Sequence, residues 1–201
     1  MRGKRLGVVR QLFTPQNTDP EVMKRMEQAL VDLGQLGAHI VDPVNIVEID
    51  TIPPAMLFCF RFKFDINAYL PRLAPDAQVK TLEDIIKSGK FHPSIEKRLI
   101  DRQAEPPLDQ NPRCAQVAEN MQKMRESVQK VMDDNALDAL VYPTWAFPPR
   151  MIGDLNSPHG NNSNRIAPPT GFPAMTVPMG FVHGSLPAGS RSSAGRGASR
   201  P

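Results

Sequence analysis

The sequence predicts an α/β fold in which helices pack on a mixed β-sheet. A strand, a helix and a second strand follow one another within residues 5–46. A long helical pattern then leads into two further short strands at 139–142 and 174–177. Strands that alternate with helices are typical of α/β proteins, and a chain of 201 residues can bury the core of one or at most two domains.

The N-terminal segment has the pattern of two parallel strands joined by a helix. Arg5–Arg10 reads as a short strand, and Asp19-Pro20-Glu21 has the signals of a helix start, with Asp as N-cap and Pro at the first helical position. Gly34 and Gly37 are both candidate helix stops, and Ala38–Ile46 reads as the next strand. This order predicts a crossover connection between parallel strands.

The middle of the chain is helical, apart from one ambiguous stretch. Between Phe58 and Leu70, apolar residues alternate as in a strand, yet residues 58, 62, 66 and 70 equally fit one helix face. Thr81 has a capping-box pattern that opens a helix ending at Gly89, and a further helix is predicted from Ser94 to about Ala104. Asn111-Pro112 opens the longest helix, whose predicted core face carries Val117, Met121, Met124, Val128, Val131 and Met132.

The two C-terminal strands are predicted at Ala139–Tyr142 and Ala174–Val177, and a proline follows each. The connection between them is long and rich in Pro, Gly and Asn, which is typical of a binding element or of a disordered segment. Residues 190–201 contain no large apolar side chain, so we predict a disordered Arg/Ser/Gly tail there.

Charge and cysteine content narrow the classes of function. The three arginines of residues 191–201 account for the whole net charge of +3, so the body of the protein is neutral and no nucleic-acid partner is expected. No apolar run approaches the length of a membrane span. Cys59 and Cys114 are too few for a disulfide framework, which predicts reduced thiols and a cytoplasmic protein, and the four scattered histidines predict no metal site.

The C-terminal residues also resemble a known family. Asp138–Thr144, together with Thr170–Phe181 and Leu186-Pro187-Ala188-Gly189, is similar to the C-terminal part of amidase signature enzymes. The resemblance implies an amide hydrolase with a Ser–Ser–Lys triad and no metal or organic cofactor, and it implies a helix through Asp65–Leu70. It also implies that the half carrying the triad precedes the matched part. Residues 1–189 would then be the C-terminal portion of an amidase domain, and the tail departs from the aliphatic strand that the family pattern calls for.

Two serine motifs are candidate substitutes for the triad. Ser192-Ser193-Ala194-Gly195 lies in the predicted tail, without a rigid supporting shell. Ser94 and Lys97 form Ser-x-x-Lys at a helix start, but the partner motifs of penicillin-recognising enzymes are missing from the sequence. We therefore predict no catalytic residue in this chain, with Ser94 as a helix cap and Lys97 in solvent.

The candidate substrate-binding residues are Trp145, Asn162, Ile166 and Phe172, in the turn and loop that follow the 139–142 strand. The alternative interpretation is that Trp145 and Phe172 only cover the sheet. The expected partner is a small-molecule amide substrate of the full-length parent, and homo-oligomer formation is left open. The isolated chain is expected to be inactive; alternatively, it is an amidase-like protein that binds a partner through the surface of the missing half.

Overall fold

The computed structural model describes residues 1–73, 76–154 and 156–195. They fall into two units. Unit 1 consists of residues 1–54 and of those from 120 onward, and unit 2 consists of residues 55–119. Unit 2 is thus an insertion in the sequence of unit 1.

Unit 1 is built on a mixed sheet of five strands. These are β1 (Arg5–Val8), β2 (His39–Val41), β3 (Ala139–Pro143), β4 (Ala174–Val182) and β5 (Leu186–Ser193), in the spatial order β2-β1-β3-β5-β4. β1 pairs in parallel with β2 and β3, whereas β5 runs antiparallel to β3 and β4. The predicted α/β class and the parallel pairing of the first two strands are confirmed.

The helices in chain order are α1 (Pro20–Gln35), α2 (Val47–Thr51), α3 (Phe62–Leu73), α4 (Leu82–Ser88), α5 (Glu96–Gln103), α6 (Pro112–Asp134) and α7 (Ala167–Thr170). α3, α4 and α5 belong to unit 2, and α6 begins in unit 2 and ends in unit 1. Within the ambiguous stretch 58–70, the residues from Phe62 onward form α3, which includes the helix through Asp65–Leu70 that the family resemblance implied.

α1 begins where its sequence signals predicted. The Asp19 carboxylate accepts hydrogen bonds from the backbone N–H groups of Glu21 (2.9 Å) and Val22 (3.1 Å), which otherwise lack helical partners. Its apolar stripe of Val22, Met26 and Leu30 is buried. Likewise, Thr81 caps α4 in a capping box and Gly89 ends that helix with a left-handed backbone.

Two predictions about the C-terminal strands are wrong. Pro178 does not end β4; the strand continues to Val182, and the register shifts between Pro178 and Gly180. The predicted disordered tail is wrong for residues 190–193, which form the end of β5, while residues 196–201 lie outside the described residues.

Polar residues form β5 because the strand lies between two others. Backbone pairing with β3 on one side and β4 on the other satisfies its N–H and C=O groups. Ser190 and Ser193 are buried, and their small side chains need little space. Arg191 pairs opposite the fully buried Tyr142. Burial raises the pKa of Tyr142 to about 12, and the neighbouring Arg191 guanidinium opposes that rise.

Unit 2 is closed near both of its ends by a disulfide bond between Cys59 and Cys114, 55 residues apart in sequence. The prediction of two reduced thiols is therefore corrected; only the tertiary structure brings such distant cysteines together. Phe60, beside this bond, lies between two guanidinium groups, 3.3 Å from that of Arg102 and 4.1 Å from that of Arg113, measured to the ring centroid. The disulfide bond and the contacts of Phe60 with the two arginines connect the segment before α3 to α5 and to the start of α6.

The turn between β4 and β5 is fastened to the start of α1. The backbone N–H of His183 donates to Glu21 (2.6 Å), and its ring Nε2 hydrogen-bonds Asp19 (2.9 Å). Arg25 donates from Nε to the carbonyl oxygen of Phe181 (2.8 Å). The hydrogen bond with Asp19 raises the pKa of His183. Burial alone would raise the pKa of Asp19, but the hydrogen bonds from His183 and from the helix N–H groups outweigh it and lower that pKa.

We expect the disulfide to stabilise unit 2 selectively. Its removal in a Cys59→Ser, Cys114→Ser double variant should lower the unfolding free energy of unit 2 by about 2–4 kcal/mol, because the unfolded loop gains freedom. Hydrogen exchange read out by mass spectrometry should then show faster exchange in residues 55–119. Peptides from β1, β3 and β5 serve as the internal control and should be unchanged. Two titratable thiols in the unreduced native protein would contradict the bond.

We expect the contact between His183 and Asp19 to give a pH-dependent contribution to stability. Because the pKa of His183 is raised, its contribution is complete below the ordinary histidine value of 6.5 and is lost as pH rises through the raised pKa. Because the pKa of Asp19 is lowered, its contribution is complete above the ordinary value of 3.8 and is lost as pH falls through the lowered pKa. The stabilisation is therefore greatest between about pH 4 and pH 6.5.

This expectation is checked with His183→Asn, since Asn tolerates the left-handed backbone at this position. Urea midpoints of wild type and variant should differ most near pH 5.5 and converge above neutral pH. His39→Asn, at an exposed strand position, is the matched control. A difference between wild type and His183→Asn that does not change with pH would refute the ionic origin.

Candidate functional site

The candidate site lies at the carboxyl ends of the three parallel strands. β2, β1 and β3 are adjacent and run in the same direction, so the segments that follow them emerge at one edge of the sheet. In open α/β sheets this edge is where ligands bind, because loops there can converge without disturbing the strands. The segments concerned are residues 9–18, 42–46 and 144–166.

Side chains from the segment after β1 connect it to the segment after β2. Gln11 donates through Nε2 to the carbonyl oxygen of Ile46 (3.0 Å) and accepts from the Ile46 N–H (2.8 Å). Arg10 pairs with Asp42 and with Glu27 of α1. The hydrogen bonds that Arg10 donates to Asp42, which have the larger effect, and to Glu27 raise the pKa of Arg10 and keep the guanidinium charged.

Asn162 connects the segment after β1 to the end of β3. It is buried, and its Nδ2 donates to the carbonyl oxygens of Leu12 (2.9 Å) and Pro143 (3.1 Å). Its backbone N–H donates to the carbonyl oxygen of Thr144 (3.1 Å). In this structure the amide of the predicted binding residue Asn162 holds the loop in place.

Trp145 is the predicted binding residue that reaches solvent at this edge, with 45% of its surface exposed. It forms an antiparallel bridge with Asn161, and its indole meets the imidazole of His159 edge-on, with ring centroids 6.1 Å apart. Sequence reasoning gave His159 no role, because the four histidines are far apart along the chain. The neighbouring Gly160 was the available signal, since it marks a close approach of the loop to the strand.

Ile166 and Phe172 lie elsewhere. Ile166 is fully buried at the start of α7 and belongs to the core. Phe172 is buried and borders a cavity of about 410 Å³. The other residues that line this cavity come from α6, among them Arg125, Gln129 and Asp133. Of the four predicted residues, Phe172 alone lines this cavity.

Thr144, which precedes Trp145 in the chain, contacts Thr176 of β4, and the sequence alone had pointed to neither as a site residue. The hydroxyls of Thr144 and Thr176 are 3.1 Å apart, across the position of Gly189 on the strand between them. A Cβ at Gly189 would come within 2.8 Å of the Thr176 methyl group, so the glycine leaves room for this contact. The pair places two hydroxyl groups on the sheet at its carboxyl edge.

The serine motifs have structural roles. Ser94 hydrogen-bonds His92 (2.8 Å), whereas Lys97 pairs with Asp101 (2.9 Å) in solvent, so this serine and lysine do not pair with each other. Ser193 is buried in β5 and its hydroxyl donates to the carbonyl oxygen of Pro173 (3.3 Å). Neither motif presents a serine to a buried base.

Across residues 1–73, 76–154 and 156–195, no group of three or more His, Cys, Asp or Glu side chains is placed to hold a metal ion. A search of the same residues for a helix long and apolar enough to cross a membrane finds none.

Solved structures with similar folds include peptide amidases. PAM12A is 26% identical with a TM-score of 0.71, and the match covers 98% of this chain and 40% of that one. Native peptide amidase from Stenotrophomonas maltophilia is 24% identical with a TM-score of 0.69, covering 98% and 40%. The peptide amidase PAM in complex with the competitive inhibitor chymostatin is 25% identical with a TM-score of 0.69, covering 98% and 41%.

The chain thus spans about 40% of the length of the solved relatives it matches. In a comparison with curated proteins, no sequence matches it. The family model described as Amidase matches residues 1–198, which is nearly the whole chain. On this match, and with a mixed sheet that superposes on amidase structures, the chain belongs to the Amidase family.

Proposed function

We propose that this chain is the C-terminal scaffold of an amide hydrolase and contributes one wall of the substrate cavity. The attacking serine and its lysine base would come from the preceding part of the amidase fold. The family match and the 40% coverage of the relatives support this division. The two serine motifs with structural roles support it as well.

The observation that carries the proposal is the exposed outer strand of the sheet, β4. In the described part of the chain, β4 is an edge strand whose nine residues include no charged side chain. Met175, Val177 and Phe181 are 64%, 41% and 58% exposed. Natural proteins protect such edges with charges, prolines, bulges or a covering segment, because an unpaired apolar strand invites association. In β4, Pro178 and the register shift beside it interrupt the strand, but the apolar side chains before and after them remain exposed. The remaining part of an amidase fold is the covering segment that we propose.

The substrate class we propose is a peptide amide. The proposal rests on the likeness to peptide amidases, one of which was solved with a competitive inhibitor. Hydrolysis would follow the serine mechanism of the family, in which a base activates the hydroxyl and backbone N–H groups stabilise the oxyanion. We propose no metal or organic cofactor and no nucleic-acid partner.

A second function is favoured by the same exposed strand. A non-catalytic amidase-like protein would use β4 to pair with a strand of a partner, including a second copy of this chain. The exposed apolar side chains on β4 are suited to either occupant. The two functions differ in whether covering β4 creates a reactive serine.

The disulfide bond does not agree with the expected cytoplasmic location. Disulfide bonds persist in oxidising compartments and are rare in the cytosol, so the Cys59–Cys114 bond favours an oxidising setting. Counting free thiols in the unreduced native protein bears on this question. Two free thiols would agree with a reducing compartment, and none would agree with an oxidising one.

The hydrogen bonds of Asn162 are essential to a scaffold role, because they position the loop that carries Trp145. We expect Asn162→Leu to lower the unfolding free energy by about 2–4 kcal/mol, since it leaves the buried carbonyl oxygens of Leu12 and Pro143 without donors. Urea unfolding followed by circular dichroism measures the change. Asn156→Leu, the same replacement at an exposed position of the same loop, should change stability by less than about 0.5 kcal/mol. Equal effects of the two variants would contradict the anchoring role.

The division of labour is tested by reconstitution. The pure chain should not be labelled stoichiometrically by a serine-reactive phosphonate and should release no ammonia from a peptide amide. Adding the part of the Stenotrophomonas maltophilia peptide amidase that this chain does not cover should restore both signals. It should also slow hydrogen exchange in β4.

The control for reconstitution is the same fragment mixed with the peptide amidase's own C-terminal part. If that pair recovers activity and this chain does not, the scaffold proposal fails. Protection of β4 without labelling would favour the non-catalytic function, and stoichiometric labelling of the chain alone would overturn both.

A further inference from the structure

The exposed pair of Trp145 and His159 is unlike an isolated surface aromatic residue. Trp145 is the single tryptophan of the chain and is 45% exposed, and His159 is exposed as well. Their ring planes meet at 63°, with centroids 6.1 Å apart. A ring edge and a ring face are thus presented together at the carboxyl edge of the parallel strands.

The backbone beneath both rings is fixed. The N–H of Ala146 donates to the carbonyl oxygen of Gly160 (2.8 Å), and that of Asn162 donates to Thr144 (3.1 Å), so the strand segment with Trp145 and the loop segment with His159 are paired. The buried amide of Asn162 then fastens this pair to the strand ends. Groups ordered before binding lose less entropy on association, which is the condition for a selective site.

Gly160 sets the separation of the two segments. Its backbone has φ +47°, and a Cβ there would lie 2.5 Å from the Ala146 Cβ and 2.8 Å from Cδ2 of Phe147. The close packing holds the loop against the strand, so a larger residue would move His159 relative to Trp145 while leaving both rings present. Replacing Gly160 therefore tests the relative position of the two rings without removing either ring.

We propose that Trp145 and His159 form a subsite for an aromatic side chain of the substrate. This inference rests on the proposed function, since it assigns the side chain of a peptide amide to these rings. Aromatic groups gain from edge-to-face and offset contacts beyond their burial, and a third ring added to this pair gains both. An aliphatic side chain of similar size buries area there but lacks those contacts. The subsite therefore selects among peptide amides by their side chains.

The experiment uses the fluorescence of Trp145, which reports only on this place because the chain has no other tryptophan. The intact chain is titrated with N-acetyl-phenylalaninamide, N-acetyl-leucinamide and N-acetyl-alaninamide. We expect a saturable change with the phenylalanine compound and binding roughly 2- to 10-fold tighter than with the leucine compound. Equal affinities, or no saturable change with any of the three, would overturn the subsite.

Two variants separate ring chemistry from loop geometry. His159→Ala should weaken binding of the phenylalanine compound roughly 2- to 10-fold and binding of the leucine compound by less, since leucine loses only buried area. Gly160→Ala should reduce the same preference while retaining both rings, and His39→Ala is the control at an exposed histidine outside the site. Circular dichroism confirms that each variant is folded. An unchanged preference in His159→Ala would refute the proposal.

The result is independent of the reconstitution experiment. Selective binding in the absence of restored hydrolysis would leave the subsite in place and remove the catalytic assignment. Restored hydrolysis with no preference for aromatic side chains would do the reverse. Loss of the fluorescence response when β4 is covered by the complementing fragment would overturn the subsite, since Trp145 would then be part of the interface.

Discussion

The buried amide of Asn162 is the interaction on which the carboxyl edge of the sheet depends. The parallel strands β1 and β3 end side by side. Near these ends lie two carbonyl oxygens, that of Leu12 in the segment after β1 and that of Pro143, the last residue of β3. One side chain donates to both, from Leu12 on one side to Pro143 on the other. Because an unpaired buried carbonyl is costly, the long loop after β3 is held where its asparagine reaches these two oxygens. The exposed rings of Trp145 and His159 follow from that placement.

The last strand of the sheet, β4, is exposed, in contrast to the buried contacts around Asn162. β4 is exposed on both of its faces through Ala174–Pro178, and its backbone forms the last row in the order β2-β1-β3-β5-β4. A protein that acts alone seldom leaves nine uncharged residues in such a position. Together with a length of about 40% of its relatives, this edge supports our proposal that the chain is the scaffold part of a larger amidase fold. Under that proposal, function depends on what covers β4 as well as on what Trp145 contacts.

Sequence patterns predicted best where a local rule was sufficient. Asp19-Pro20 and Thr81 mark helix starts because their side chains satisfy nearby N–H groups, and the structure has α1 and α4 there. The core face of α6 was also largely correct, with Val117, Met124, Val128 and Met132 buried. The pattern of residues 58–70 did not distinguish a strand from a helix, since both periods fitted, and only the family resemblance implied the helix that the structure has there. The tail failed for a related reason, because β5 depends on two neighbouring strands and not on its own composition.

From the sequence alone, the α/β class, the positions of the principal helices and the family resemblance could be established, since these depend on spacing along the chain. Three features required the tertiary structure: the bond between Cys59 and Cys114, the pairing of Trp145 with His159, and the inclusion of Ser190–Ser193 in the sheet. Each joins residues that no local pattern relates, over separations from 13 positions (Val177 with Ser190) to 55 positions (Cys59 with Cys114). A contact of that kind exists only when the strands and loops between its members have found their places, and that outcome is a property of the packed chain.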